Sequence, residues 1–194
     1  MLSERLQLKL FLEPNPHFEL EALVPVFHRV IRDRLIPELM IDVVDYSHVP
    51  DGPGVVLIGH AADFYVGALD GAYGLVYSRK RAAPGPEARL EDALRRLINA
   101  ARVLEQGSGL ALRFRSNQLS LRLTDRLRAP NDDATFASTQ AEVEQVFGRV
   151  YGGNVSVTRL PNAKEPLGVG IATSTSPTLE ALLEKLGGPP SASP

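Results

Sequence analysis

The chain of 194 residues contains no cysteine. This absence excludes disulfide bonds, thiolate zinc sites, iron–sulfur clusters and cysteine nucleophiles. It is compatible with a reducing compartment, and we expect a soluble cytoplasmic protein. No apolar run approaches the roughly 20 residues that a membrane-spanning helix needs, so no membrane span is expected. The charges between Met1 and Lys9 do not fit the apolar region of a signal peptide.

Recognisable catalytic motifs are also lacking. The Gly-Pro-Gly run at 52–54 matches neither a Walker nor a dinucleotide-binding pattern, and no predicted helix follows it directly. The Gly-Ser-Gly run at 107–109 leads from a predicted helix into a predicted strand, whereas a nucleophile elbow joins a strand to a helix. We therefore predict no organic cofactor, and the sequence favours a protein without catalytic activity.

Charge is balanced overall and uneven along the chain. The formal net charge is −2. Residues 1–78 hold 5 basic and 11 acidic side chains, whereas residues 79–128 hold 12 basic and 5 acidic ones. The basic segment is suited to an anionic partner or to the acidic parts of its own chain. Arginine outnumbers lysine by 17 to 4, which favours bidentate anion contacts but is equally typical of a GC-rich bacterial coding sequence.

Hydrophobic periodicity predicts an α+β fold. Helical spacing marks segments 19–35, 86–106 and 133–151, with a shorter helix over 177–186. Because Pro25 is tolerated only in or near a first turn, the first of these helices is expected to start near Leu23. Strand-like alternation or short apolar runs mark 6–12, 40–46, 55–59, 64–78, 110–115, 119–124, 154–160 and 167–173. We predict a mainly antiparallel sheet with about three helices packed on one face and repeated helix–strand–strand units. The prediction is a single domain over 1–186 and a disordered tail over 187–194.

The segment 64–78 is predicted to form a hairpin around Asp70-Gly71, a typical two-residue turn. That register pairs Gly67 with Gly74 and leaves bare backbone on one face. We expect a packed element or a ligand to approach the backbone there.

The densest polar cluster predicted from the sequence consists of His48, Asp51, His60 and Asp63. These residues flank a short buried strand, and strand ends present side chains to a common rim. Two imidazoles and two carboxylates are sufficient ligands for a divalent metal, or His60 and Asp63 together could act in acid–base chemistry. The competing interpretation assigns Asp51 and Asp63 to turns, because the His-x-x-Asp spacing is not a specific signature.

A second candidate site is the arginine face of a hairpin predicted over 110–124. Arg113, Arg115 and Arg122 would share one face of this hairpin, where they could contact phosphates. That face carries no aromatic side chain for base stacking, so a solvated outer face explains it as well.

These patterns lead to one main hypothesis and two alternatives. The main hypothesis is a non-enzymatic interaction or adaptor protein that binds a protein partner or self-associates. The first alternative is a metal-assisted or acid–base enzyme that uses the His/Asp cluster. The second is anion or nucleic-acid binding through the arginine face.

Overall fold

The chain folds into eight strands and four helices in the computed structural model, which describes residues 3–14, 19–68, 72–81, 84–161 and 164–190. The strands are β1 (Leu6–Leu12), β2 (Met40–Tyr46), β3 (Gly54–Gly59), β4 (Ala62–Gly67), β5 (Gly74–Arg79), β6 (Phe114–Leu123), β7 (Val155–Arg159) and β8 (Gly168–Thr173). The helices are α1 (Leu23–Arg32), α2 (Arg89–Gly107), α3 (Asp133–Tyr151) and α4 (Leu179–Lys185). None of these four helices is long and apolar enough to cross a bilayer.

All eight strands form one antiparallel sheet in the order β2-β3-β4-β5-β1-β6-β8-β7. The predicted α+β class and antiparallel sheet are therefore confirmed. There are four helices rather than about three, although α4 has only seven residues. The predicted helix–strand–strand repetition holds only after α3, because α1 is followed by four strands and α2 by the single strand β6.

The helices cover one face of the sheet. Alternate side chains of β1 (Leu6, Leu8 and Leu10) belong to the same buried cluster as the apolar side chains of all four helices. The opposite face, which we call the open face, carries a small separate cluster of Val56, Tyr65 and Val76. Alternation places successive side chains on opposite faces, so each strand presents a second row of residues to the open face.

The prediction of a hairpin over 110–124 is wrong. Residues 114–123 form the single strand β6, which pairs along β1 from Leu6 opposite Leu123 to Leu12 opposite Phe114. Leu10 pairs with Leu119, so two steps along β1 correspond to five steps along β6 and three residues are extra. These residues bulge out of the ladder and reset the alternation. Phe114 and Leu119 consequently both reach the core, as the apolar pattern predicts.

The predicted pairing of Gly67 with Gly74 is confirmed. A Cβ atom on Gly67 would lie 2.5 Å from the Pro53 carbonyl oxygen, and one on Gly74 would lie 2.6 Å from Lys9 Cε. The bare backbone is therefore covered by neighbouring parts of the same chain. The predicted Asp70-Gly71 turn lies outside the described residues.

Local side-chain chemistry fixes several helix ends. Asp132 accepts a hydrogen bond from the Thr135 amide at 2.8 Å and caps the start of α3. Gly152 ends α3 in the left-handed conformation, with φ of 69°. Gly187 and Gly188 donate backbone hydrogen bonds to the last turn of α4, while residues 191–194 of the predicted disordered tail lie outside the described residues.

Candidate functional site

The four residues of the predicted His/Asp cluster do not come together. His48 and Asp51 lie in the connection before β3, whereas His60 directly follows β3 and Asp63 lies in β4. The six residues of β3 separate the two pairs by at least about 16 Å. Within the described residues, no group of three or more histidine, aspartate or glutamate side chains is arranged to hold a metal ion.

Asp63 has a structural role at its end of the sheet. Its Oδ1 atom accepts hydrogen bonds from Lys80 Nζ at 2.7 Å and from the Gly59 amide at 3.1 Å. Lys80 Nζ also donates to the Gly59 carbonyl at 2.8 Å. Asp63 and Lys80 together fasten the β3–β4 turn to the end of β5, in agreement with the interpretation that Asp63 caps a turn.

The three predicted anion-binding arginines do not form one patch. Arg113 lies outside β6, and Arg115 and Arg122 lie near its opposite ends, roughly 16 Å apart along the paired strand β1. The Arg115 guanidinium lies 2.6 Å from Gln118 Oε1 and 3.7 Å from Glu13. Arg122 forms an ion pair with Glu165.

Much of the basic segment is paired with acidic parts of the same chain. Ion pairs join residues 79–128 to residues 1–78 through Lys80–Asp63, Arg89–Glu4, Arg96–Glu38, Arg115–Glu13 and Arg128–Glu4. The sequence analysis considered two partners for the basic segment, an anionic molecule and the acidic parts of the same chain. These five ion pairs are of the second kind.

A network of buried charges lies at the end of β5, where α2 packs against it. Asp92 of α2 accepts hydrogen bonds from Arg79 and Arg96, and Arg96 Nη1 also donates to Glu38 Oε1 at 2.8 Å. Arg79 Nε donates to the Tyr77 hydroxyl at 3.2 Å. Burial raises the pKa of the Glu38 carboxyl in spite of the neighbouring Arg96. These bonds join α2 to β5 and to the α1–β2 connection, which makes the network a structural brace.

A cleft with a volume of about 720 Å³ lies at the end of the sheet where β2 and β4 finish. We call it the tyrosine cleft. It is lined by Leu20, Tyr46, Ser47, Val49, Pro50, Asp51, Gly52, Pro53, Gly54, Tyr65, Gly67, Ala68 and Tyr73. Tyr46 and Tyr73 are exposed, whereas Tyr65 is buried.

Two buried glycines lie in the strands next to Tyr46. Tyr46 pairs with Gly54, and a Cβ atom on Gly54 would lie 3.3 Å from Gly67 Cα. Two glycines therefore stand side by side between β2 and β5. Gly54 has φ of 76°, and its Cβ would lie only 2.1 Å from the Val66 carbonyl oxygen, so this position requires glycine.

The β2–β3 connection that forms one wall of the cleft is held by local hydrogen bonds. The Ser47 amide donates to Asp45 Oδ1 at 2.8 Å, and Ser47 Oγ donates to Glu21 Oε1 at 2.8 Å. The hydrogen bonds from Ser47 lower the pKa of the Asp45 carboxyl. Backbone bonds from Val49 to Tyr46 and from Gly52 to Val49 close two successive turns. The conformation of this wall is thus held by hydrogen bonds within the chain.

A smaller cleft of about 320 Å³ lies beside it on the open face, between Phe11 of β1 and the paired strands β7 and β8. The β4–β5 connection contributes to both clefts, since Ala72 lines the smaller one and Tyr73 the larger. Lys9 is only 1% exposed; its ammonium group donates to the Ala72 carbonyl at 2.5 Å and lies 4.7 Å from the centre of the Phe11 ring. Lys9 thus anchors the connection between the two clefts.

Three exposed apolar side chains lie in the edge strand β2 and in the connection that leads into it. Leu35, Leu39 and Ile41 are 38%, 67% and 59% exposed, and they lie within seven residues of one another. We call these three side chains the β2 patch. Isolated exposed apolar side chains are common, so it is the closeness of these three along the chain that makes them a candidate surface.

The sequence analysis did not identify the tyrosine cleft or the β2 patch. The tyrosine cleft combines three separate chain segments, and nothing in the sequence shows that they meet. One signal was available, namely the clustering of tyrosine along the chain. The chain has five tyrosines, and Tyr46, Tyr65 and Tyr73 fall within 28 residues. The β2 patch escaped notice because an apolar run before a strand normally predicts burial.

Comparison with models of known protein families and with curated proteins finds no match for this chain.

Proposed function

We propose that the protein is a non-enzymatic interaction protein that self-associates through the β2 patch. The observation that carries the proposal is the exposure of Leu35, Leu39 and Ile41 at the edge of the sheet. Fully burying a fully exposed side chain of this kind contributes roughly 1.5–3 kcal/mol. These three have 38–67% of their surface left to bury, and a symmetric contact buries each of them in both copies.

The edge of β2 is unsuited to adding another strand. Met40 pairs with Gly59 and Asp42 with Ile58, so Ile41 is an extra residue that interrupts the ladder. Asp42 Oδ1 also accepts a hydrogen bond from the Val43 amide at 2.8 Å. A bulge and an edge carboxylate are both features that oppose strand addition. The contact we propose is therefore made by side chains rather than by the backbone ladder.

The charges around the patch favour a second copy of the same chain as the partner. Arg34 and the Arg32–Asp33 ion pair precede the patch, so this end carries one net positive charge, and Asp42 and Asp45 follow it. A two-fold axis through the patch would bring the basic end of one copy to the acidic end of the other. The apolar centre supplies the affinity, and the flanking charges set the orientation.

The test compares two leucine variants by sedimentation equilibrium. Leu39→Glu places a charge in the proposed interface of both copies, and we expect the dimer to weaken by at least about 3 kcal/mol, or more than a hundredfold. Leu127→Glu is the matched control, since Leu127 is 98% exposed and lies outside the patch. This control should dimerise like the unmodified protein.

Two results would contradict the proposal. One is an unmodified protein that stays monomeric at a concentration of about 100 μM, a range in which an interface of this kind should associate. The other is a Leu39→Glu protein that dimerises as tightly as the Leu127→Glu control. Thermal unfolding of both variants checks that neither substitution disturbs the core.

A further inference from the structure

We infer that the tyrosine cleft binds a basic, unstructured segment of another protein, whose arginine or lysine side chains lie against the tyrosine rings. This binding is independent of the β2 patch and does not require self-association. Three features of the cleft support it: the placement of the tyrosines, the charge of its walls, and its size and order.

The first feature is the distribution of tyrosine. Tyr77 and Tyr151 are buried in the core, 2% and 3% exposed, and each of the other three tyrosines lines this cleft. The chain has no tryptophan. Tyrosine rings attract cations through their electron-rich faces, and they are enriched at protein-binding surfaces because they bury area at little entropic cost.

The second feature is the sign of the charge around the cleft. Residues 36–78, which supply most of its walls, contain no lysine or arginine. Asp51 lines the cleft, and Glu21 is fixed beside it by its hydrogen bond with Ser47. Aromatic faces among carboxylates recognise a cationic side chain rather than an anionic or neutral one.

The third feature is the size and order of the cleft. A volume of about 720 Å³ is in the upper part of the roughly 300–1,000 Å³ found for drug-sized ligands. It can therefore accept several residues of an extended chain, whereas a single small cation would leave most of it open. Gly54 and Gly67 let the backbones of β3 and β4 pack closely beneath the cleft, so the floor of the cleft is formed by the chain itself. Because the β2–β3 connection is already hydrogen-bonded, little ordering entropy is lost on binding.

The test uses three defined probes. The first is the capped peptide Gly-Arg-Gly-Arg-Gly, the second is the same peptide with neutral citrulline in place of arginine, and the third is L-arginine amide. We expect the arginine peptide to bind most tightly, and its amide chemical-shift changes to fall on the β2–β3 connection and around Gly67 and Tyr73. Tyrosine fluorescence supplies a second readout, since no tryptophan masks it.

Variants of Tyr73 separate the role of the ring from general effects on folding. Tyr73→Ala should weaken binding of the arginine peptide about two- to fivefold, and Tyr73→Phe should retain it because the ring face remains. Asp51→Asn should weaken the arginine peptide and leave the weak binding of the citrulline peptide unchanged.

Three results would overturn the inference. The first is equal binding of the arginine and citrulline peptides, which would show that charge is not recognised. The second is binding of L-arginine amide as tight as that of the peptide, which would assign the cleft to a small ligand instead of a protein segment. The third is a set of shifted amides that lies away from the tyrosine cleft, or no shift at all.

Discussion

The hydroxyl of Tyr151 should destabilise the fold, so its removal should raise the free energy of unfolding. Tyr151 is 3% exposed, and its Oη atom has no hydrogen-bond partner among the described residues. Burial accordingly raises the pKa of this hydroxyl. The ring itself is well packed, because it stacks on Phe147 with centroids 5.4 Å apart and an angle of 9°. Tyr151→Phe keeps this stacking and removes only the unpaired oxygen.

The magnitude follows from the desolvation of one hydroxyl. Burying a polar group without a partner costs about 1–3 kcal/mol in proteins, so we expect Tyr151→Phe to be more stable by about 1–2 kcal/mol. For a chain of this length, each kcal/mol shifts the midpoint of thermal unfolding by about 2–4 °C. The predicted increase is therefore roughly 2–8 °C, measurable by calorimetry and by urea denaturation.

Tyr77→Phe is the matched control, since Tyr77 is equally buried but its hydroxyl accepts a hydrogen bond from Arg79 Nε. Removing that oxygen leaves the buried Arg79 Nε without this acceptor, and we expect a loss of about 1–2 kcal/mol. Replacing tyrosine by phenylalanine should thus raise the free energy of unfolding at position 151 and lower it at position 77. If Tyr151→Phe were also destabilised, the Tyr151 hydroxyl would have to bond to a group such as a buried water, and the reasoning would be refuted.

Two further predictions concern a glycine and a buried carboxylate. Gly54→Ala should destabilise the fold by clearly more than Gly109→Ala, because both positions have positive φ but only Gly54 has a backbone atom, Val66 O, within 4 Å of the added methyl; equal losses in urea denaturation would contradict this. Burial raises the pKa of Glu38 above its ordinary 4.5, so its contribution to stability is present below that pH and lost as pH rises through the folded-state pKa. Glu38→Gln should remove this fall in the free energy of unfolding, measured from about pH 4 to pH 7; an unchanged pH dependence would contradict it.

Periodicity predicts the elements of this fold well, because each element buries one face. Strand β1 agrees with the alternation of Leu6 to Leu12 at both ends. Helix α1 begins at Leu23, where Pro25 is accommodated in the first turn. These features depend on local spacing alone.

The error in β6 shows where local spacing fails. Polar residues between two alternating runs are typical of a turn, but they are equally suited to a bulge within one strand. The two cases differ only in whether β1 is available to pair with both runs. That is a property of strand order, which the sequence does not show.

The candidate sites depend even more on strand order. His48 and His60 are close in sequence, yet the intervening strand β3 places them at its opposite ends. Conversely, Leu20, Tyr46 and Tyr73 are far apart in sequence and line one cleft. Each of these residues has an unremarkable neighbourhood, so no motif identifies the cleft.

The central position of β1 has a consequence for synthesis on the ribosome. This strand is made first but completes its hydrogen bonding only when β6 has emerged, after β5 has already paired with its other edge. At about 5–20 residues per second, the interval between the end of β5 and the end of β6 lasts roughly 2–9 s. During this time the edge of β1 that faces β6 has no partner strand in the chain made so far. Any chaperone that assists this protein should therefore act before residue 123 leaves the exit tunnel, and slow codons between 80 and 123 should increase aggregation.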